Sequence, residues 1–355
     1  MVSIIGAGPV GNYLASQLSS KGEKVNVYEE HSKIGVPVAC TGILTSYLSD
    51  FVKVSEDYIV NKINETHVYS PNGNFVKLRL KKNFIVDRTL FDSHFAEVAK
   101  SEGAKYHNNH KFVSMKNSVL KFQNGNKIKS DVIVGADGPN SLVARSAGIF
   151  GDRKFVVGHQ ARVKLKKKID SNVVEFFLGE GNYIGWLVPE DDKVVRLGVA
   201  SHQGTDEHFK DLIKKRNGKI LGWQSGAIPV YDPKLKIEKD NTFLVGDAAT
   251  QVKATTYGGI IPGMNAANAL RDRILEGNSY TKGVKKGIGK SLKTHLLVRN
   301  IMNKFSENDY NDLIELCGND SVKKLIYEHD REYPIKLLMS LAIKEPRFLK
   351  FLRCF

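Results

Sequence analysis

Six residues, Gly6-Ala7-Gly8-Pro9-Val10-Gly11, constrain this chain more than any other stretch. The apolar run "VSIIGAG" before them reads as a strand, "PVGNYLASQLSSKG" after them carries apolar residues at helical spacing, and "KVNVYEE" reads as a second strand. This is a complete strand–helix–strand unit. In that setting the glycines allow a sharp turn and a close backbone approach, so that a pyrophosphate can rest against the positive end of the helix. Glu29 ends the second strand, where a carboxylate accepts hydrogen bonds from ribose hydroxyls. Gly6, Gly8, Gly11 and Glu29 therefore predict dinucleotide binding.

The rest of the chain bounds the setting. Its 355 residues suggest two or three structural units, and 41% hydrophobic with 26% charged residues is an ordinary globular composition. No apolar run is long enough for a transmembrane helix, and the first residues enter a strand without a signal-peptide pattern, so a cytoplasmic location is expected. The three cysteines, Cys40, Cys317 and Cys354, lie far apart and form no zinc or disulfide framework, so no metal is expected. A formal charge of +15 favours phosphate-bearing surfaces, but bulk charge does not choose among nucleic acid, anionic lipid and a phosphorylated substrate. With no nucleic-acid-binding motif and no basic helix with interleaved aromatics, no nucleic-acid partner is expected.

Along the chain the expected class is α/β. A Rossmann-like dinucleotide domain is expected over 1–150, interrupted by a hairpin near 51–83 that turns at Pro71 to Gly73. "VDRTLFDSHFAEVAKSEGA" predicts a helix ending at Gly103, and "NSVLKFQNGNKIKSDVIVGADG" predicts a hairpin at Asn124-Gly125 followed by a buried strand. Short alternating stretches over 151–235 predict an antiparallel-sheet substrate domain. "NTFLVGDAATQ" returns to the first domain over 236–280, with a helix opened by Gly258, Gly259 and Ile260, and 281–355 reads as a helical tail.

Three further segments bear on the nucleotide. Arg88 precedes a helix, where a cation can reach a phosphate or pair with Asp87 or Asp92. Asp137 in "GADGPNSLVAR" and Asp247 in "LVGDAA" stand at strand ends suited to accept ribose or ribityl hydroxyls. In this order the motifs resemble those of FAD-dependent oxidoreductases with the para-hydroxybenzoate hydroxylase fold, which implies FAD as cofactor. Three segments narrow the resemblance. "IGVPVACTG", "NYIGWLVP" and "QVKATTYGGIIPGMNAANAL" are similar to segments of the geranylgeranyl reductase family, flavoenzymes that saturate prenyl chains, including those of archaeal-type diether lipids. The chain departs from the commoner pattern in two places. Thr41 intervenes between Cys40 and Gly42, and two residues, Ile184 and Gly185, separate Tyr183 from Trp186.

The resemblance implies a reductase that adds hydride and a proton across an isoprenoid double bond. Cys40, Thr41 and Gly42 would lie along the flavin, with the Cys40 thiol as proton source or as packing against the ring. Tyr183, Trp186 and Pro189 are expected to line an apolar tunnel or to fill the core. The helix at Gly258, Gly259 and Ile260 would turn its positive end toward a reduced flavin. A flavin monooxygenase of the same fold is the alternative. The electron donor stays open among ferredoxin, another reduced carrier and NAD(P)H. The tail, with Leu337, Leu338, Phe348 and Phe351 among basic residues, packs on the protein or lies on an anionic membrane, which would add a peripheral position on the inner membrane face.

Overall fold

The computed structural model describes residues 1–179, 183–329 and 331–354. In chain order the elements are β1 (Val2–Ile5), α1 (Pro9–Ser19), β2 (Val25–Tyr28), β3 (Ile43–Thr45), β4 (Ile59–Tyr69), β5 (Phe75–Val86), α2 (Arg88–Ser101), β6 (Lys105–His107), β7 (Phe112–Lys116), β8 (Val119–Phe122), β9 (Lys127–Lys129), β10 (Val132–Gly135) and α3 (Leu142–Ser146). There follow β11 (Phe155–Leu165), β12 (Val173–Gly179), β13 (Tyr183–Pro189), β14 (Val194–Ser201), α4 (Thr205–Arg216), β15 (Gly218–Pro229), β16 (Glu238–Lys239) and β17 (Thr242–Leu244). The chain then turns helical through α5 (Ile260–Glu276), α6 (Tyr280–Val284), α7 (Lys290–Met302), α8 (Glu307–Cys317), α9 (Asp320–Glu328) and α10 (Pro334–Lys344), closing on a 3-10 segment, Pro346–Cys354.

These elements form two compact units. The first comprises Met1–Val38, Asp87–Lys154 and Ile228–Lys293. Its six-stranded sheet runs β16-β17-β10-β1-β2-β6, parallel except at the β16 edge. β1 lies between β10 and β2 and buries all four of its residues, as a central parallel strand must. α1 packs on α2 and α5, and Leu14 and Leu18 on its inner face are wholly buried, each worth about 1.5–3 kcal/mol of apolar burial. The hairpin expected at Asn124-Gly125 joins β8 to β9 in a small three-stranded sheet.

The second unit comprises Ala39–Val86, Phe155–Ala227 and Thr294–Phe355. Its eight-stranded sheet has the order β15-β11-β14-β13-β12-β4-β5-β3. The β4–β5 hairpin, read from sequence as an insertion in the first domain, adds to the later sheet through a parallel β4–β12 pairing. Alternation along one hairpin says that a face is buried; it does not say which sheet completes it. α4 covers one face over β11, β13 and β14, burying Phe209, while α8 and α9 pack on β5. Among the described residues no helix is long and apolar enough to cross a membrane, and no cluster of His, Cys, Asp or Glu could hold a metal ion.

Candidate functional site

In the first unit the glycine turn is built as the sequence requires. Gly6 has φ +102°, and a Cβ there would stand 2.4 Å from the Ala136 carbonyl oxygen; one at Gly11 would stand 2.3 Å from the Gly6 carbonyl oxygen. Gly8, by contrast, has open space beside it, which leaves its backbone approachable. Glu29 accepts the Ala7 N–H at 2.9 Å through one oxygen and both the backbone and ring nitrogens of His31 through the other. Its carboxylate is thus held at the turn, and the oxygen bonded to Ala7 keeps acceptor capacity for a hydroxyl. Asn12, which sequence reasoning passed over, is wholly buried and donates to the carbonyls of Ala7 and Asp92, tying the turn to α2.

Arg88 forms a two-pronged pair with Asp92, Nε to Oδ1 at 2.9 Å and Nη2 to Oδ2 at 2.8 Å. Burial pushes the Asp92 carboxyl up, and the Arg88 guanidinium pulls against that. Asp247 also titrates above the usual range because it is desolvated, with Arg88 again the opposing charge, so Arg88 is in electrostatic reach of both acids. Asp137 turns one oxygen back to the Val143 N–H at 3.0 Å at the start of α3, while its Oδ1 is buried without a partner.

Two helix starts matter most. α1 begins at Gly8 and α5 at Gly259, and neither has a side-chain cap, whereas α2, α3 and α6 are capped by Asp87, Ser141 and Ser279. A helix N-terminus without a cap offers its amides and its partial positive charge to an anion. At α5 the missing side chain of Gly259 is what lets Asp247 approach, since a Cβ there would stand 2.7 Å from Asp247 Oδ1. Lys253, also missed from sequence, is 5% exposed and its Nζ lies 3.4 Å from where a Gly258 Cβ would start, so a cation stands beside the same helix start. Two uncapped glycine-led helices, an acidic strand end and an orphaned buried carboxylate oxygen fit a bound dinucleotide.

The second unit holds the thiol loop. Gly42 has φ +77°, and a Cβ there would meet Arg196 Nη1 at 2.3 Å and the Val86 carbonyl oxygen at 2.6 Å. The missing side chain lets Arg196 reach in. That arginine, 7% exposed, donates from Nη1 to the Thr41 carbonyl at 2.7 Å and the Val86 carbonyl at 2.8 Å. Its Nε donates to Glu190 at 2.8 Å, and Glu190 is also engaged by Arg162 at 2.6 Å. The Gly42 N–H points to Cys40 Sγ at 3.3 Å, and Cys40 stays half-exposed. Gln160 closes the loop's other side: its Nε2 donates to the Cys40 carbonyl at 3.3 Å and to Gln224 at 2.6 Å, while its Oε1 accepts the Trp186 indole N–H at 2.8 Å. Arg162, Gln160, Arg196 and Gln224 carry no local sequence signature, because each acts across strands.

One expectation is corrected. Tyr183, Trp186 and Pro189 do not line one tunnel. β13 keeps regular register along its length, so residues three apart point to opposite faces. Trp186 lies over Gly198 beside Gln160, on the face of the Cys40 loop, with Phe176 directly across from it on β12. Tyr183 shares the other face with Pro189 and stacks on His208 of α4 at 4.3 Å. There it lines a cavity of about 250 Å³ with Phe177, Leu212 and Arg216. The two residues between tyrosine and tryptophan, where the family pattern has one, cause the divergence.

The comparisons agree with this architecture. A model of the NAD(P)-binding Rossmann-like domain matches residues 4–42. The whole chain superposes with TM-score 0.83 on a geranylgeranyl bacteriochlorophyll reductase-like protein of Thermoplasma acidophilum, 20% identical, covering 99% of this chain and 98% of that one. A probable FAD-dependent monooxygenase of Pseudomonas aeruginosa gives TM-score 0.67 at 14% identity over 88% of this chain and 99% of its own. The fold is that of the FAD-dependent oxidoreductases, with a Rossmann-like dinucleotide-binding segment at its N-terminus. Within that class, the chain is 28% identical to the digeranylgeranylglycerophospholipid reductase of Methanothrix thermoacetophila, over 91% of this chain and 93% of that one. It is also 28% identical to digeranylgeranylglycerophospholipid reductase 3 of Methanosphaera stadtmanae, over 99% and 97%. The resemblance to geranylgeranyl reductases thus runs along nearly the entire chain.

Proposed function

We propose that the protein is an FAD-dependent reductase that saturates carbon–carbon double bonds of geranylgeranyl chains carried by a glycerophospholipid. The observation that carries this reading is the similarity to digeranylgeranylglycerophospholipid reductases over more than nine-tenths of both chains. When bound, FAD supplies hydride to one alkene carbon while a proton reaches the other, so each double bond gains two hydrogens. The electrons come from a reduced donor: ferredoxin, another carrier or NAD(P)H.

The first unit's part is to hold the dinucleotide. Gly6, Gly8 and Gly11 receive the pyrophosphate at the α1 start, and Glu29 accepts ribose hydroxyls. Asp247, Asp137 and Arg88 serve the ribityl and phosphate portion. Gly258, Gly259 and Ile260 turn the α5 start, with Lys253 beside it, toward negative charge on the reduced cofactor, since a helix N-terminus counts as roughly half a positive charge. The second unit's part is the proton and the chain. Arg196 fixes Thr41, and with it the Cys40–Gly42 turn, and we assign the Cys40 thiol as proton donor. Trp186 and Phe176 form the apolar wall for the isoprenoid. An unsolvated charge on an alkene carbon is costly, so the reaction requires hydride and proton to be delivered together. The lipid substrate brings the protein to a membrane surface.

Anaerobic turnover tests this. Chemically reduced protein mixed with geranylgeranyl phospholipid should be reoxidised as the lipid gains two mass units per double bond. The fold neighbour named a monooxygenase gives the second reading. Substrate-stimulated oxygen uptake with oxygen incorporated into product would establish it instead. Cys40→Ala divides the roles of the thiol: loss of reduction with FAD retained supports proton donation, and a near-normal rate leaves packing.

A further inference from the structure

α10 is apolar around most of its circumference, yet only part of it is covered. Pro334 and Leu341 are buried, and α10 packs on α9 and the closing 3-10 segment. On a second stripe, Ile335, Leu338, Met339 and Ile343 stand exposed, Met339 at 62% and Ile343 at 73%. Their spacing of three, one and four residues puts them on one side of the helix. The stripe continues into the closing 3-10 segment, where Leu349 and Leu352 are exposed at 47% and 53% while Phe351 is buried. A helix that is apolar on both sides has an unmet partner on the outer one.

Charge selects that partner. Between Pro334 and Cys354 stand five cations, Lys336, Lys344, Arg347, Lys350 and Arg353, against a single acid, Glu345. Lys350 and Arg353 are anchored to Asp312 and Asp309 of α8, at 2.6 and 2.5 Å, so the segment is held in place with its apolar residues outward. Arg347 pairs with Glu345, which leaves Lys336 and Lys344, beside the apolar stripe, without a carboxylate partner among the described residues, and a second copy would set its own two like cations against them. An anionic bilayer instead takes up the apolar stripe in its interfacial layer and attracts each nearby cation by about 1 kcal/mol.

We propose that the outer face of α10 and the closing 3-10 segment is the surface by which this protein docks on an anionic lipid bilayer. The assignment deepens the reading of a phospholipid substrate and rests on it for the purpose of docking, but it is measured without turnover. Full-length protein is sedimented with vesicles of equimolar phosphatidylglycerol and phosphatidylcholine, and with phosphatidylcholine alone. Binding is expected to the anionic vesicles only, to weaken with added salt, and to fall at least tenfold in the double variant Met339→Asp, Ile343→Asp. Both residues are highly exposed, so this variant should keep its melting temperature, its FAD content and its activity on detergent-dispersed substrate. A second variant, Lys336→Glu with Lys344→Glu, should lose the preference for anionic lipid. Wild-type protein that ignores anionic vesicles, or a Met339→Asp, Ile343→Asp variant that binds them as wild type does, overturns the proposal. A concentration-dependent dimer abolished by the same variant, with vesicle binding unchanged, assigns the face to a second copy and overturns it too. None of these outcomes alters the reductase reading, which lipid mass alone decides.

Discussion

Replacing Arg196 by methionine removes a buried guanidinium while keeping an unbranched, flexible side chain. The structure sets the cost. Two carbonyls, Thr41 and Val86, lose charged donors at 2.7 and 2.8 Å, and Glu190 loses one of its two arginines. Hydrogen bonds to charged groups are worth about 1.5–3 kcal/mol each. Glu190 keeps the half-exposed Arg162, which spares it the full penalty of an unpaired buried charge. The two carbonyl bonds alone come to about 3–6 kcal/mol, and a unit of this size should melt roughly 10 °C lower or more. The local effect should be larger, because Arg196 holds the carbonyl next to Cys40. We expect Cys40 alkylation, read peptide by peptide by mass spectrometry, to accelerate at least tenfold, while Cys317, whose thiol burial pushes up to about 12, stays unreactive below the denaturation range. Arg196→Lys should fall between, since an ammonium cannot serve both carbonyls and Glu190 with the guanidinium's fork. An Arg196→Met protein with unchanged melting and unchanged Cys40 labelling would refute the clamp.

Trp186→Ala should cut turnover of prenyl lipid by at least tenfold at intact FAD content, whereas Tyr183→Ala, on the α4 side, should change it less than twofold; steady-state assays of the two separate the faces. Lys253→Met should retain FAD but lower its two-electron reduction potential by about 30 mV, the equivalent of about 1.4 kcal/mol, as read by anaerobic titration with reference dyes. Burial raises the Asp309 carboxyl, but hydrogen bonds from Ser306 and the pair with Arg353 outweigh it and hold the group below its usual range. A depressed carboxylate stabilises above its unfolded pKa and loses that contribution as pH falls through the folded one. Hydrogen exchange of the Pro346–Cys354 segment should therefore be pH-independent in protection from neutrality down to about pH 4 and collapse below it, a transition absent in Asp309→Asn.

What the sequence disclosed follows the range of its signals. The glycine turn, α1 and the α5 start are local: each is specified by residues within one or two turns of chain, and each stands where its pattern indicates. The destination of the β4–β5 hairpin depends on a pairing with β12 more than a hundred residues away, for which no local residue speaks. The clamp on Cys40 was invisible for the same reason, since Arg196 and Gln160 look like ordinary strand residues, and Glu190 like an ordinary acid past a strand end, until β11, β13 and β14 align them. Gly42 did carry a trace: a glycine two residues after the cysteine marks a backbone that something approaches closely. The divergence of Tyr183 from Trp186 was legible from parity alone, because an odd separation in a regular strand reverses the face.

The most direct test is anaerobic single turnover. The protein is loaded with FAD, reduced, and mixed with a digeranylgeranylglycerophospholipid, with flavin absorbance and lipid mass followed together. The account predicts reoxidation in step with a gain of two mass units for each double bond saturated. Protein that takes up no FAD, or flavin that reoxidises while the lipid mass stays unchanged, would contradict it.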